Sequence, residues 1–216
     1  RKTFLAITLF LAFSKAALAQ FGNCTASEMR TYVDSATGNT ITMLTDTMKN
    51  HRFLYQTDPM WTADGKYLLF RSSSRGNDKE VESTLPNGEK RKWTPTQIYF
   101  IEMATGKIIQ ATEGPNLGSA FLANKTNRMF VSRKEKENWN MYVMDLNKFF
   151  ADVKQGKVGK PSAYETFIGT FPTEMGRPGG YAVDCNDDYA YITVEREGTE
   201  EEKERMMKNA FLPESN

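Results

Sequence analysis

The stretch "NHRFLYQTDPMWTADGKYLLFRSS", residues 50 to 73, gathers His51, Arg52, Tyr55 and Gln56 within a few positions, and His51 is the only histidine of the chain. These side chains suit recognition of an anionic or hydroxyl-rich ligand. An arginine fork meets a carboxylate with two parallel hydrogen bonds, and an imidazole titrates close to neutral pH. Arg177, in "EMGRPGGYAVD" ahead of Pro178-Gly179-Gly180, offers a second guanidinium beside a turn. Each candidate has a structural alternative: His51 stapling a loop through backbone hydrogen bonds, Tyr55 and Gln56 filling packing and turn positions, Arg177 lying solvated. The acid pairs Asp187-Asp188 and Glu200 to Glu202 read as a turn and a solvated helix, because a glycosidase dyad is set by the fold and not by adjacency. No Gly-x-Ser-x-Gly elbow, Gly-rich phosphate loop or Cys-x-x-Cys occurs.

These side chains must be held by elements, and the chain punctuates itself clearly. With 28 basic against 27 acidic residues, it lacks the basic excess that nucleic-acid binding requires. Arg1-Lys2, the apolar run Thr3 to Phe13 and the small-residue site Ala17-Leu18-Ala19 form the three regions of a secretory signal peptide. That run is too short for a membrane span of about 20 residues. The sequence thus predicts a signal peptide over 1–19, a linker over 20–31, and a periplasmic or secreted protein with no membrane attachment once the leader is removed. Two cysteines at unrelated places, Cys24 and Cys185, are expected as unpaired thiols.

Asp64-Gly65-Lys66, Lys125-Thr126-Asn127 and Asn186-Asp187-Asp188 each feed an apolar or aromatic run, at an equal spacing of 61 residues. Fixed self-similarity of this length marks a repeat architecture. The segments "QIYFIEMATGKIIQATEG" (97–114), "NMYVMDLNK" (140–148) and "YVDSATGNTITMLTDT" (32–47) repeat a second strand, turn, strand layout. Together they predict an all-β fold over 32–216, a β-propeller forming an incomplete arc of about three four-stranded antiparallel blades that opens in mid-blade. The inner strands are expected near 67–70, 129–132 and 190–194, with His51 and Arg52 in the loop entering the first. Long loops are expected between Arg71 and Trp93 and over 149–166, a short helix over 196–211, and Trp61 and Trp139 as blade-to-blade core.

The order "DSATGNTITMLTDTMKNHRFLYQ" (34–56), "DGKYLLFRS" (64–72) and "IYFIEMATGKIIQATEG" resembles the oligogalacturonate lyases, seven-bladed propeller enzymes of pectin breakdown. The pattern is Asp-x-x-Thr-Gly, then Leu-Thr, then His51-Arg52 with Tyr55-Gln56, then Asp-Gly before a strand. The resemblance covers most of the chain after the leader and implies its N-terminal blades. It implies β-elimination on an oligogalacturonide. A base takes the proton next to the carboxylate, cations offset the developing charge, and the C4 oxygen leaves.

That resemblance also implies a catalytic histidine and arginine, and manganese or another divalent metal held by several histidines and a glutamine in later blades of the intact protein. A single histidine cannot supply both. No catalytic residue and no metal ligand is therefore assigned within this chain. His51, Arg52, Tyr55, Gln56 and Arg177 remain as candidate substrate-binding residues. The expected partners are an oligogalacturonide and the remaining blades. Two other readings stay open: a non-catalytic TolB-type propeller that binds a protein, and the propeller of a prolyl oligopeptidase-like serine peptidase.

Overall fold

The computed structural model describes residues 20–76, 80–84, 88–171 and 177–195. The leader expected over 1–19 and the helix expected over 196–211 lie outside the described residues. In chain order the strands are β1 (Cys24–Thr25), β2 (Arg30–Val33), β3 (Thr40–Met43), β4 (His51–Arg52), β5 (Tyr67–Ser72), β6 (Val81–Thr84), β7 (Lys90–Trp93), β8 (Gln97–Glu102), β9 (Ile108–Gln110) and β10 (Leu117–Leu122). Then follow β11 (Arg128–Glu135), β12 (Asn138–Asp145), helix α1 (Leu146–Gln155), a 3-10 turn (Pro161–Ala163), β13 (Glu165–Thr170), β14 (Arg177–Val183) and β15 (Ala190–Glu195).

All pairings are antiparallel. The first blade has the order β1-β9-β8-β5-β4, the second β10-β11-β12-β13, and the third contributes β14-β15. β2-β3 and β6-β7 are separate hairpins. This is the expected all-β, incomplete propeller. Strand β5 is apolar on both faces because the first blade is covered on both sides. Tyr67 and Leu69 join Phe100, Leu122, Met129 and Val131 in the core between the first and second blades, while Phe70 meets Tyr99 and Ile101 on the opposite face. Phe121, Phe130 and Met141 pack the second blade onto the third. Burying each of these large side chains contributes about 1.5 to 3 kcal/mol.

The repeat turns also hold neighbouring blades together. The buried Asp187 carboxylate accepts hydrogen bonds from the backbone N–H groups of Asn124 (2.6 Å), Lys125 (2.8 Å) and Thr126 (2.8 Å) and from Thr126 Oγ1 (2.9 Å). One repeat earlier, Asp64 N donates to Asn127 Oδ1. The equal spacing thus places each turn beside its counterpart.

Several expectations are corrected. The runs at 67–72, 128–135 and 190–195 are second in their sheets, flanked by β4, β10 and β14. These edge strands are harder to read, being two residues long or interrupted by Gly, Ser or Pro. The loop expected over 149–166 contains most of α1. Leu146, Phe149 and Phe150 are its buried face, Asp145 caps it by accepting from Lys148 N, and Gly156 ends it in a left-handed conformation. The insertion after Arg71 folds in part as the β6-β7 hairpin. Residues 20–31 are not a linker, because Phe21 is buried against Phe149 and Tyr164 and β1 pairs with β9. Trp61 is exposed, bridging only to Leu68, whereas Trp139 is half-buried against Gly118. Cys24 and Cys185 are both exposed and unpaired. Among the described residues, no helix is long and apolar enough to cross a membrane.

Candidate anion-binding cleft

Strand β4 pairs with the end of β5 so that Arg52 lies directly opposite Arg71. Side chains alternate across a strand, so Arg71 follows Tyr67 and Leu69 onto the face that meets the second blade. Residues directly opposite on an antiparallel pair have Cβ atoms about 5 Å apart, and like charges there are destabilising. Arg52 and Arg71 line a cleft of about 300 Å³ between the blades, together with Trp93, Pro95, Thr96 and Leu117. Neither arginine makes an ion pair among the described residues. Burial draws the Arg71 guanidinium below the usual arginine range; Asp58 opposes that shift and Arg52 adds to it. One nearby carboxylate against two cations leaves the cleft positive.

The contrast with Arg133, on the facing β11, is instructive. Its guanidinium is neutralised by the buried Glu165 carboxylate and lies over the Tyr142 ring. That arginine is structural, whereas the Arg52–Arg71 pair has free donors beside an indole. Such a set can bind a carboxylate through forked hydrogen bonds while an apolar sugar face rests on Trp93.

His51 and Arg52 are neighbours in sequence but lie on opposite faces of β4. His51 stands edge-on to Phe70 at 5.3 Å, and its Nε2 lies 3.2 Å from Arg75 Nη2. An arginine only donates, so Nε2 is the acceptor and the proton sits on Nδ1. Nδ1 is buried and makes no well-formed hydrogen bond, although the Asp46 backbone lies close enough to favour protonation slightly. Burial and the Arg75 charge both lower the His51 pKa. Arg75 in turn is ion-paired with Glu28, which also accepts from Lys49 Nζ (2.8 Å) and Asp46 N (2.8 Å). Burial raises the Glu28 pKa, but these hydrogen bonds and the Arg75 charge outweigh it and hold the carboxyl at about 2. His51 is thus tied into a buried polar cluster on the face away from the cleft.

Tyr55 is exposed in a loop, and Gln56 sits in the turn closed by Asp58 N donating to Tyr55 O. Arg177 begins β14, opposite Glu195, and its side chain lies outside the described part. The candidate residues therefore do not converge on one centre. The sequence reading overlooked Arg71 and Trp93. Arg71 was visible as a charge in the alternating position of "YLLFRS", where a third core residue belongs. Trp93 gave no such signal.

Among the described residues, no group of three or more His, Cys, Asp or Glu side chains could hold a metal ion, and the one histidine is engaged by Arg75. The residues present do not fit a multi-histidine manganese site.

Antiparallel blades stacked in sequence, joined turn to turn and carrying a ligand-sized cleft at their edge strands define a β-propeller segment. Among solved structures, the chain is similar to an oligogalacturonate lyase in complex with manganese, with TM-score 0.53 and 20% identity over 78% of this chain and 36% of that one. It is similar as well to the oligogalacturonate lyase of Vibrio parahaemolyticus, with TM-score 0.52 and 21% identity over 77% of this chain and 35% of that one. The chain thus spans about a third of the length of those lyases and shares their fold over that part. No family model and no curated protein sequence matches it.

Proposed function

We propose that the chain forms the N-terminal blades of an exported oligogalacturonate lyase-like protein, and that the Arg52–Arg71 cleft binds a uronate carboxylate of an oligogalacturonide. The observation that carries this reading is the pair of directly opposed, unpaired arginines beside Trp93. Two like charges in register cost stability in the free protein. An anion between them converts that cost into charge-assisted hydrogen bonds. The likeness to two oligogalacturonate lyases supports an oligogalacturonide as the substrate class.

In the intact protein the reaction is β-elimination, in which cations stabilise the charge that develops on the carboxylate as the adjacent proton leaves. Arg52 and Arg71 bind and orient an anionic sugar. No proton-transfer step is assigned to this chain, because His51 faces the Glu28–Arg75 cluster. The test is equilibrium binding of trigalacturonate against its carboxyl-reduced, neutral counterpart. The acidic trisaccharide is expected to bind and the neutral one to lose at least tenfold in affinity. Equal binding of the two contradicts the reading.

A further inference from the structure

We propose that Glu113 is the built-in receptor for the new amino terminus released when the chain is cut between Ala19 and Gln20, and that it protects Gln20 from cyclisation. The inference rests on the export reading for the cut itself and on the structure for everything after it. Ala17-Leu18-Ala19 is the small-residue pattern that leader removal requires, and Gln20 follows it directly. Gln20 is itself held by the folded blade. The backbone nitrogens of Gln20 and Phe21 both donate to Glu113 Oε2, at 2.9 and 3.1 Å.

The next residues fix that geometry. Phe21 is buried against Phe149 and Tyr164. Gly22 N donates to Gln110 O (2.7 Å), and Gln110 N donates to Asn23 O (2.9 Å). Gly22 has φ +80°, and a Cβ there would lie 2.5 Å from Val158 Cγ1, so the backbone is held close against the 156–161 segment. Glu113, Phe21 and Gly22 line an open groove of about 700 Å³, which leaves room for a severed end. Glu113 has no Lys or Arg partner among the described residues, so its carboxylate is available for a new cation.

Cleavage turns the Gln20 amide nitrogen into an α-ammonium 2.9 Å from that carboxylate, an ion pair where the precursor has a neutral hydrogen bond. An N-terminal glutamine cyclises when its unprotonated amine attacks the side-chain amide carbon. The new C–N bond closes a lactam, and the amide nitrogen leaves as ammonia with the proton the amine gives up. A protonated amine has no lone pair for this attack. A neighbouring carboxylate favours the ammonium form, and the Gln20 side-chain oxygen is itself held by Gln110 Nε2 at 3.4 Å.

The experiment exports the full precursor in a bacterial host, purifies the mature protein and reads its N-terminus by sequencing and intact mass. A chain starting at Gln20 with a free amine is expected. A retained leader or a different start overturns the cut site. Incubation near pH 8, close to the usual α-amine pKa, then follows loss of one ammonia. Glu113→Gln should accelerate that loss roughly fivefold, because one unit of amine pKa changes the unprotonated fraction at pH 8 from about a tenth to about a half. Equal rates overturn the role of Glu113. Should that variant fold poorly, pH-dependent labelling of the wild-type amine decides: an apparent pKa above the usual range supports the receptor, and one at or below it overturns it. None of these outcomes touches sugar binding.

Discussion

Replacing Asp187 tests whether the repeat turn fastens one blade to the next. Its carboxylate gathers three backbone N–H groups and one hydroxyl from residues 124–126, and its own φ of +65° is a conformation that alanine adopts at a cost of about 1 kcal/mol or more. A hydrogen bond to a charged group contributes about 1.5 to 3 kcal/mol. The four bonds share one carboxylate, so their losses do not add, and roughly two bonds' worth, about 3 to 5 kcal/mol, is the expected cost of Asp187→Ala. Asp187→Asn keeps one acceptor oxygen and tolerates the left-handed backbone, so it should cost about 1 to 2 kcal/mol. Urea denaturation gives the free energies, and hydrogen exchange at the Asn124, Lys125 and Thr126 amides gives the location. Burial raises the Asp187 pKa, but the hydrogen bonds from Asn124, Lys125 and Thr126 win and lower it. A depressed carboxylate stabilises the fold above its unfolded pKa of about 3.9 and loses that contribution as pH falls toward the folded value. The wild-type protein should therefore lose stability below about pH 4 along a slope that Asp187→Asn makes shallower, the other depressed carboxylates such as Glu28 keeping the rest. If both variants stay within about 0.5 kcal/mol of wild type, the scatter of ordinary surface changes, the clamp is not there.

Other outcomes follow from the same geometry. Arg75→Leu should cost about 3 kcal/mol or more by leaving Glu28 with only part of its partners, while the Arg75→Leu/Glu28→Leu pair should cost less than the sum of the single changes; additive losses in denaturant melts would argue against a coupled pair. Because the His51 pKa is lowered in the fold, stability should decline as pH drops below the unfolded value of about 6.5, and His51→Gln should flatten that decline. Gly22→Ala should cost about 2 to 4 kcal/mol from its backbone conformation and its overlap with Val158, and Val158→Ala should recover only the overlap part in thermal melts. Residues 20–216 alone should yield no unsaturated uronide by ultraviolet absorbance with trigalacturonate and manganese, because the described residues offer neither a base in the cleft nor a metal-ligand cluster. Metal-dependent product from that chain would show otherwise.

The all-β repeat was legible because its signal is local and periodic. Turns at Asp64, Lys125 and Asn186 precede apolar or aromatic runs, and a doubly covered strand such as Tyr67–Phe70 is apolar at every position. The edge strands were not legible. His51–Arg52 is two residues long, and Gly118 and Ser119 interrupt the apolar pattern of Leu117–Leu122. Helix α1 was hidden because its buried Leu146, Phe149 and Phe150 sit among lysines and aspartates that read as loop. Phe21 could not reveal the role of residues 20–25, since its partners Phe149 and Tyr164 are remote in sequence. The candidate cleft was legible in half. Arg52 was a candidate from the sequence, but the residue it faces is set by cross-strand register, which no spacing rule exposes. The adjacency of His51 and Arg52 suggested one site where strand alternation makes two faces.

The most direct test of the cleft is a pair of titrations of trigalacturonate into wild type and Arg71→Met, which keeps the apolar stem and removes the charge. Loss of a charge-assisted contact of about 1.5 to 3 kcal/mol predicts roughly 10- to 150-fold weaker binding. The ligand-free variant should be as stable as wild type or slightly more so, since the repulsion with Arg52 is relieved. Unchanged affinity in a folded Arg71→Met protein would contradict the assignment of this cleft to an anionic sugar.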